Sequence, residues 1–279
     1  MISITSELKD LNISFEEISE IRQGENSDTF LITSRKRKLV VKKFKNIKFK
    51  QITNAFLNKK IIDQLVTKKL FPNIIYYSEE KDFLIYEYFE SAKNNKDKFF
   101  LKNLGKKIRE IHNIKPCKNI LTYKQQLYFY KQLLKRIKED QLVTKIESLF
   151  DDVNIQSSEL VFSHNDLNIN NILFNKNICI IDYEYSSLNS KFSDIAKVIY
   201  EFKLNKLETE YFLDGYRITL DKQTEKQIIL WQRFNLYIDY IWALLIKSNK
   251  ELPLKENLKD FYLKRFIDFD TKLSNQSNK

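Results

Sequence analysis

Residues 160–185 read LVFSHNDLNINNILFNKNICIIDYEY, and this stretch decides the fold. It opens on an apolar run, Leu160, Val161 and Phe162, and closes near another, Ile178 to Ile181. Both runs are rich in β-branched or aromatic residues and read as short buried strands. Between them a polar loop carries His164, Asn165, Asp166, Asn168, Asn170 and Asn171, and Asp182 and Glu184 follow the second strand directly. Buried strands that deliver carboxylates and carboxamides to one edge are costly unless those groups meet charged partners. A divalent cation with phosphates would supply such partners.

The order of residues sharpens this expectation. His164-x-Asp166-x4-Asn171, followed by Asp182 at the end of an apolar strand, follows the order of a kinase catalytic loop and its later metal-binding aspartate. Phosphoryl transfer needs a carboxylate to orient the acceptor hydroxyl and accept its proton, which suits Asp166. It also needs oxygen ligands for Mg²⁺, a hard cation; Asn171 and Asp182 fit. An ordinary polar turn in an Asn-rich chain supplies the same residue types, but not this order between two strands.

HNDLNINNIL followed by IIDYEY resembles the choline/ethanolamine kinase family, within the aminoglycoside-phosphotransferase-like and protein-kinase-like folds. The DYE triplet stands where protein kinases carry D-F-G, which argues against a protein substrate. FSDIAKVIYEF, residues 192–202, is similar to the family segment that follows the metal aspartate. The resemblance covers the catalytic half well and the amino-terminal half more loosely. It implies an α+β, two-lobed kinase-like fold, with a small antiparallel-sheet lobe over residues 1–90 and a larger, mainly helical lobe over 91–279. It further implies ATP and Mg²⁺, Asp166 as base, His164 as the brace of its loop, and Asp194 as a support for that loop.

Composition agrees with a globular chain: 279 residues, 43% hydrophobic and 14% aromatic, enough for two cores. Cys117 and Cys179 have no metal-like spacing and read as free thiols of a cytoplasmic protein. The start, MISITSELKDLNI, lacks the basic end and apolar core of a signal peptide. The most apolar long stretch, 228–246, includes Gln232, Arg233, Asn235 and Asp239, so it reads as a core helix, not a membrane span. The net charge of +11 is spread among alternating acids and no RNA-binding motif accompanies it, so neither nucleic acid nor membrane insertion is expected.

In the amino-terminal half, a short helix leads into strand, turn and strand over residues 18–32. Order along the chain makes the turn, with Gly24 and Ser27, the candidate phosphate loop, though an ordinary hairpin reads the same way. KLVVKKF, residues 38–44, is a third strand. The family places a phosphate-binding Lys or Arg here; strand alternation puts Lys42 and Lys43 on opposite faces, and Lys42 is preferred. Residues 49–69 have helical periodicity. The family pairs its strand lysine with a glutamate from this helix, but the first acid here is Asp63, so Asn54 or Asn58 is the substitute. Strands over 73–77 and 83–88 follow. LIYEYFE resembles the family's hinge, where backbone groups of Glu87 to Phe89, Tyr88 among them, would meet adenine.

The rest of the chain reads as helices over 97–112, 122–150, 192–204, 206–219, 222–247 and 255–272. His112 reads as a structural hydrogen-bonding histidine. Most aromatic residues of the long helix read as core, Trp231, Tyr237 and Tyr240 included. IDYIWALLI, residues 238–246, is similar to the family helix that lends aromatic walls to a choline pocket; Trp242 is the residue carried over, with Glu184 and Tyr185 bordering the pocket. Asp239 stands where the resemblance leads one to expect a second tryptophan, which implies an incomplete cage or one suited to a primary amine. The acceptor implied is choline or ethanolamine. Thiamine, an aminoglycoside, or a kinase-like module that only binds are the alternatives.

Overall fold

Alternating apolar residues in the amino-terminal part build an antiparallel sheet. In the computed structural model, residues 2–23, 27–35, 37–45, 59–78, 80, 82–92, 96–116, 120–153, 159–248 and 257–277 are described. The sheet contains β1 (Glu17–Gln23), β2 (Ser27–Thr33), β3 (Lys38–Phe44), β4 (Ile74–Ser78) and β5 (Phe83–Glu87), in the order β1-β2-β3-β5-β4. All neighbouring pairs are antiparallel. Phe30, Ile32, Leu39, Val41, Phe83 and Ile85 share one face, as a period of two requires. Ile4 and Leu8 of α1 (Ile2–Asp10) join them in one core. Lys42, one residue out of phase with Val41, therefore points from the opposite face, opposite Thr29 and Leu84 in register.

Residues 1–47 and 72–90 form this first compact unit; residues 48–71 and 91–279 form the second. Helix α2 (Lys59–Thr67) groups with the second unit, whereas a single cut at residue 90 puts it in the first. The expectations at Gly24, Asn54, Asn58 and Cys117 lie outside the described residues.

The second unit contains α3 (Lys98–His112), α4 (Tyr123–Arg136), α5 (Asp140–Val153), α6 (Lys191–Glu201), α7 (Lys206–Tyr216), α8 (Lys222–Ser248) and α9 (Leu258–Ser277). Local chemistry sets several of the starts. Thr122 with Gln125, and Asn205 with Glu208, close reciprocal capping boxes. Helices α3 and α7 cross at Gly105 and Gly215. A Cβ on either glycine would fall 2.0 Å from a carbonyl oxygen of the other helix, so no larger residue permits this approach. Trp231, Phe234 and Tyr237 of α8 are buried. Among the described residues no helix is long and apolar enough to cross a membrane.

Two short antiparallel pairs complete the unit: β6 (Leu160–Ser163) with β9 (Ser187–Ser190), and β7 (Ile172–Phe174) with β8 (Ile178–Ile180). β6 and β8 are the two apolar runs read from the sequence. β7 is too short to show a period, and β9, SLNS, lacks apolar alternation. Cys179 lies buried in β8, and burial pushes its thiol up to about 12, where it is unreactive.

Candidate active site

The β7–β8 pair does the first piece of assembly. Ile172 pairs with Ile180, and the Ile181 N–H donates to the Asn171 carbonyl at 3.0 Å. Asn171, just before one strand, thus lies beside Asp182, just after the other. Asp182 takes a left-handed backbone conformation, φ 72°, which Asp tolerates better than most residues. β6 and β9 do the second piece by setting Ser163 opposite Ser187, so the loop after β6 runs beside the one before β9.

Hydrogen bonds lock the loop itself. His164 Nε2–H donates to the Ile181 carbonyl at 2.9 Å, while its Nδ1 accepts the Asp166 N–H at 3.2 Å. That pair of bonds fixes the neutral Nε2–H tautomer, with the ring tying the loop to the residue before Asp182. Asn165, at φ 63°, donates through Nδ2 to the Tyr185 carbonyl and Ser187 Oγ at 3.0 and 2.8 Å. Asp194, fully buried in the first turn of α6, accepts the backbone N–H groups of His164 and Asn165, both at 2.8 Å. It also accepts from His112 Nε2 at 2.9 Å, and His112 Nδ1 meets the Tyr216 hydroxyl at 2.6 Å. His112 and Asp194 are therefore scaffold.

Asp166 sits at the centre of this frame, half-buried. Its carboxylate accepts from Asn168 Nδ2 at 3.1 Å and from Asn171 Nδ2 at 2.9 Å. Burial pushes the carboxyl up to about 7, with the Lys197 ammonium working against that rise and Asp182 adding to it. A base whose pKa lies near working pH suits proton transfer. Because Asn171 spends its amide nitrogen on Asp166, its oxygen is the atom left to meet a cation. Among the described residues no group of three or more His, Cys, Asp or Glu could hold a metal ion. The Asn171 and Asp182 oxygens suit Mg²⁺, which binds through one or two carboxylates, waters and substrate phosphates without a full protein cage.

Glu184 is buried just beyond Asp182, and Tyr185 accepts a hydrogen bond at its hydroxyl from Trp242 Nε1 at 2.7 Å. Tyr185 and Trp242 thus lie together, with Glu184 next to Tyr185 in the chain, and Trp242 is half-buried while Trp231, Tyr237 and Tyr240 are core. The nucleotide-side candidates lie in the first unit. Lys42 is 8% exposed and its Nζ lies 5.1 Å from the centroid of the Phe44 ring. Ser27 is buried at the start of β2, Glu87 accepts from Asn73 at the end of β5, and Tyr88 is exposed under Lys38.

Sequence reading missed one pair. Lys197 of α6 is buried and gripped by Asp239 of α8 at 2.6 Å. Burial works against its charge, but Asp239 and Asp166 more than offset this and raise its pKa. A signal was present: Lys197 interrupts the apolar run Ile195, Ala196, Val198, Ile199, and a lysine so placed needs an acid partner.

Comparison with known proteins bears on the family and the fold. Protein LicA homolog of Mycoplasma capricolum is 25% identical over 203 residues, 71% of this chain and 80% of that protein. Choline kinase LicA from Streptococcus pneumoniae superposes with a TM-score of 0.77 at 16% identity, covering 96% of this chain and 97% of the other. Spectinomycin phosphotransferase, solved with ADP and spectinomycin, superposes with a TM-score of 0.64 at 16% identity, covering 96% and 93%. These likenesses make the fold protein-kinase-like and α+β. The family model for choline/ethanolamine kinase matches residues 30–240, which takes in Asp166, Asn171, Asp182 and the Lys197–Asp239 pair and stops short of Trp242; the chain belongs to that family of small-molecule kinases.

Proposed function

We propose that the protein transfers the γ-phosphate of ATP to the hydroxyl of a small amino alcohol, choline or ethanolamine. The observation that carries this reading is the meeting of Asp166, Asn171 and Asp182, a base and two oxygen donors drawn together by one hairpin. The acceptor hydroxyl lies against Asp166, which orients it and takes its proton. Its oxygen bonds to the γ-phosphorus as the bond to the ADP oxygen breaks. Asn168 and Asn171 hold the carboxylate in place for that step. Mg²⁺ held by Asn171 and Asp182 would neutralise charge on the phosphate oxygens.

The sheet-rich part, residues 1–90, binds the nucleotide in this reading: Lys42 and the turn at Gly24 and Ser27 meet phosphates, and backbone groups at Glu87 and Tyr88 meet adenine. Residues 91–279 carry the base, the metal ligands and the acceptor, with His164 as brace and Glu184, Tyr185 and Trp242 along the acceptor. Dependence on ATP suits a cytoplasmic enzyme.

The test is Mg²⁺-dependent ADP release with choline, ethanolamine, thiamine and kanamycin in parallel, with Asp166→Ala as control. Release driven by choline or ethanolamine and lost in the variant is the expected result. Release with kanamycin or thiamine alone would move the acceptor to another cation. ATP–Mg²⁺ binding without release for any of them would leave a binding module.

A further inference from the structure

Two carboxylates on the helices around the acceptor side are neutralised from within. Asp239 receives Lys197 Nζ on both oxygens, at 2.7 and 2.6 Å, with side chains 20% and 9% exposed respectively. Glu201 receives Arg265 at 2.6 Å. The same guanidinium lies 4.8, 5.5 and 5.7 Å from the ring centroids of Tyr200, Phe261 and Tyr262. Carboxylates and aromatic faces are what a small organic cation needs, and here the chain's own cations occupy them.

The Lys197–Asp239 pair belongs to the site. Asp239 lies one helical turn before Trp242, on the same side of α8, and Trp242 reaches Tyr185. The Tyr262 ring lies edge-on to Trp242 at 6.5 Å.

We propose that Lys197 is an acceptor-selecting residue: its ammonium competes with the acceptor's cation for Asp239, so the site favours an amino alcohol whose nitrogen carries N–H over a quaternary one. This rests on the amino-alcohol reading above. A carboxylate offers about four lone-pair sites, and Lys197 takes one on each oxygen. An ammonium with N–H groups shares Asp239 by hydrogen bonding to the sites that remain. A trimethylammonium has no donor and depends on a bare charge or on aromatic faces. Arg265 already covers those of Tyr200, Phe261 and Tyr262.

Steady-state KM with ethanolamine, N,N-dimethylethanolamine, choline and the uncharged carbon isostere of choline tests this, in wild type, Lys197→Met, Lys197→Arg and Asp239→Asn. In wild type KM rises with methylation, by about tenfold from ethanolamine to choline. Lys197→Met lowers the KM of choline by about tenfold and leaves that of the isostere in place. Lys197→Arg keeps the wild-type order, and Asp239→Asn raises KM for the charged acceptors only. A loss of affinity through mere structural damage would raise KM for all of them. A wild-type KM indifferent to methylation, or a Lys197→Met change equal for choline and its isostere, would overturn the proposal while the amino-alcohol reading stands. Turnover of no amino alcohol by the wild type would sink both.

Discussion

The two sides of the candidate site are assembled over different distances along the chain. Around Asp166 the partners are near: Asn168 and Asn171 are 2 and 5 residues away, and His164 finds Ile181 at 17 and Asp194 at 30. On the proposed acceptor side Lys197 finds Asp239 at 42 residues, Tyr185 finds Trp242 at 57 and Glu201 finds Arg265 at 64. The near side is held by strand register and by side-chain hydrogen bonds within the loop and to its backbone, which do not depend on the acceptor. The far side is held by ion pairs and ring contacts between helices, which an incoming cation can rearrange. Chemistry and selection are therefore separable: damage to the first should fall on kcat, and damage to the second on KM.

Asp166→Asn is the hardest test of that separation. The amide keeps the shape and can still accept from Asn171 at its one oxygen, giving up the bond from Asn168, but it cannot take a proton. We expect kcat to fall by about 10³-fold, with acceptor KM within a few fold and the melting temperature nearly unchanged. Coupled ADP-release kinetics beside a thermal melt would read both. A large rise in KM with little loss of kcat would break the comparison, because it would make Asp166 part of acceptor binding.

Asp194→Asn probes how far the near side depends on its scaffold. Burial alone would raise this carboxyl, yet the hydrogen bond from His112, with the His164 N–H, outweighs it and holds Asp194 below the ordinary carboxylate range. A carboxyl lowered on folding adds stability that is present above its unfolded value, about 3.9, and lost as pH falls through the folded value. The variant should therefore lose about 3 kcal/mol near neutrality, read by urea titration. Wild-type stability should fall below about pH 4, and the variant should lose this part of the pH dependence. An Asn variant as stable as wild type would show that the loop stands without Asp194.

How much could be read from the sequence follows the same divide. The His164–Asn171 loop, Asp182 and the two apolar runs were legible because each partner lies within one supersecondary unit, where spacing implies contact. The neighbouring β7 and β9 were not, since a three-residue strand has no period and SLNS has no apolar face. Lys197 and Asp239 sit on two helices that only tertiary packing brings together, and no spacing rule joins them. Asp239 was noticed for the tryptophan it replaces and not for the lysine it holds. Periodicity reads as a helix over residues 49–69; α2 is described from Lys59, and its grouping with the second unit depends on packing that periodicity does not encode.

Trp242→Phe carries the smallest effect and gives the finest test. Phenylalanine keeps an aromatic face but deletes the N–H that reaches the Tyr185 hydroxyl at 2.7 Å. Tyr185 follows Glu184 in the short turn after Asp182, and its carbonyl accepts from Asn165, so its backbone belongs to the near side while its ring belongs to the far one. Tyr185 is thus one residue at which the two sides touch, as Ser193 is another, between Asn165 and Asn235. Losing a bond of about 1 kcal/mol should raise acceptor KM about fivefold. If Tyr185 serves only to aim Trp242, kcat will not move. If the bond also steadies the turn that follows Asp182, kcat will fall as KM rises. Measuring both constants with ethanolamine and with choline therefore asks whether selection can be altered without disturbing the chemistry, and an unchanged kcat is the result expected from a frame already fixed by Asp194, His164 and the β7–β8 register.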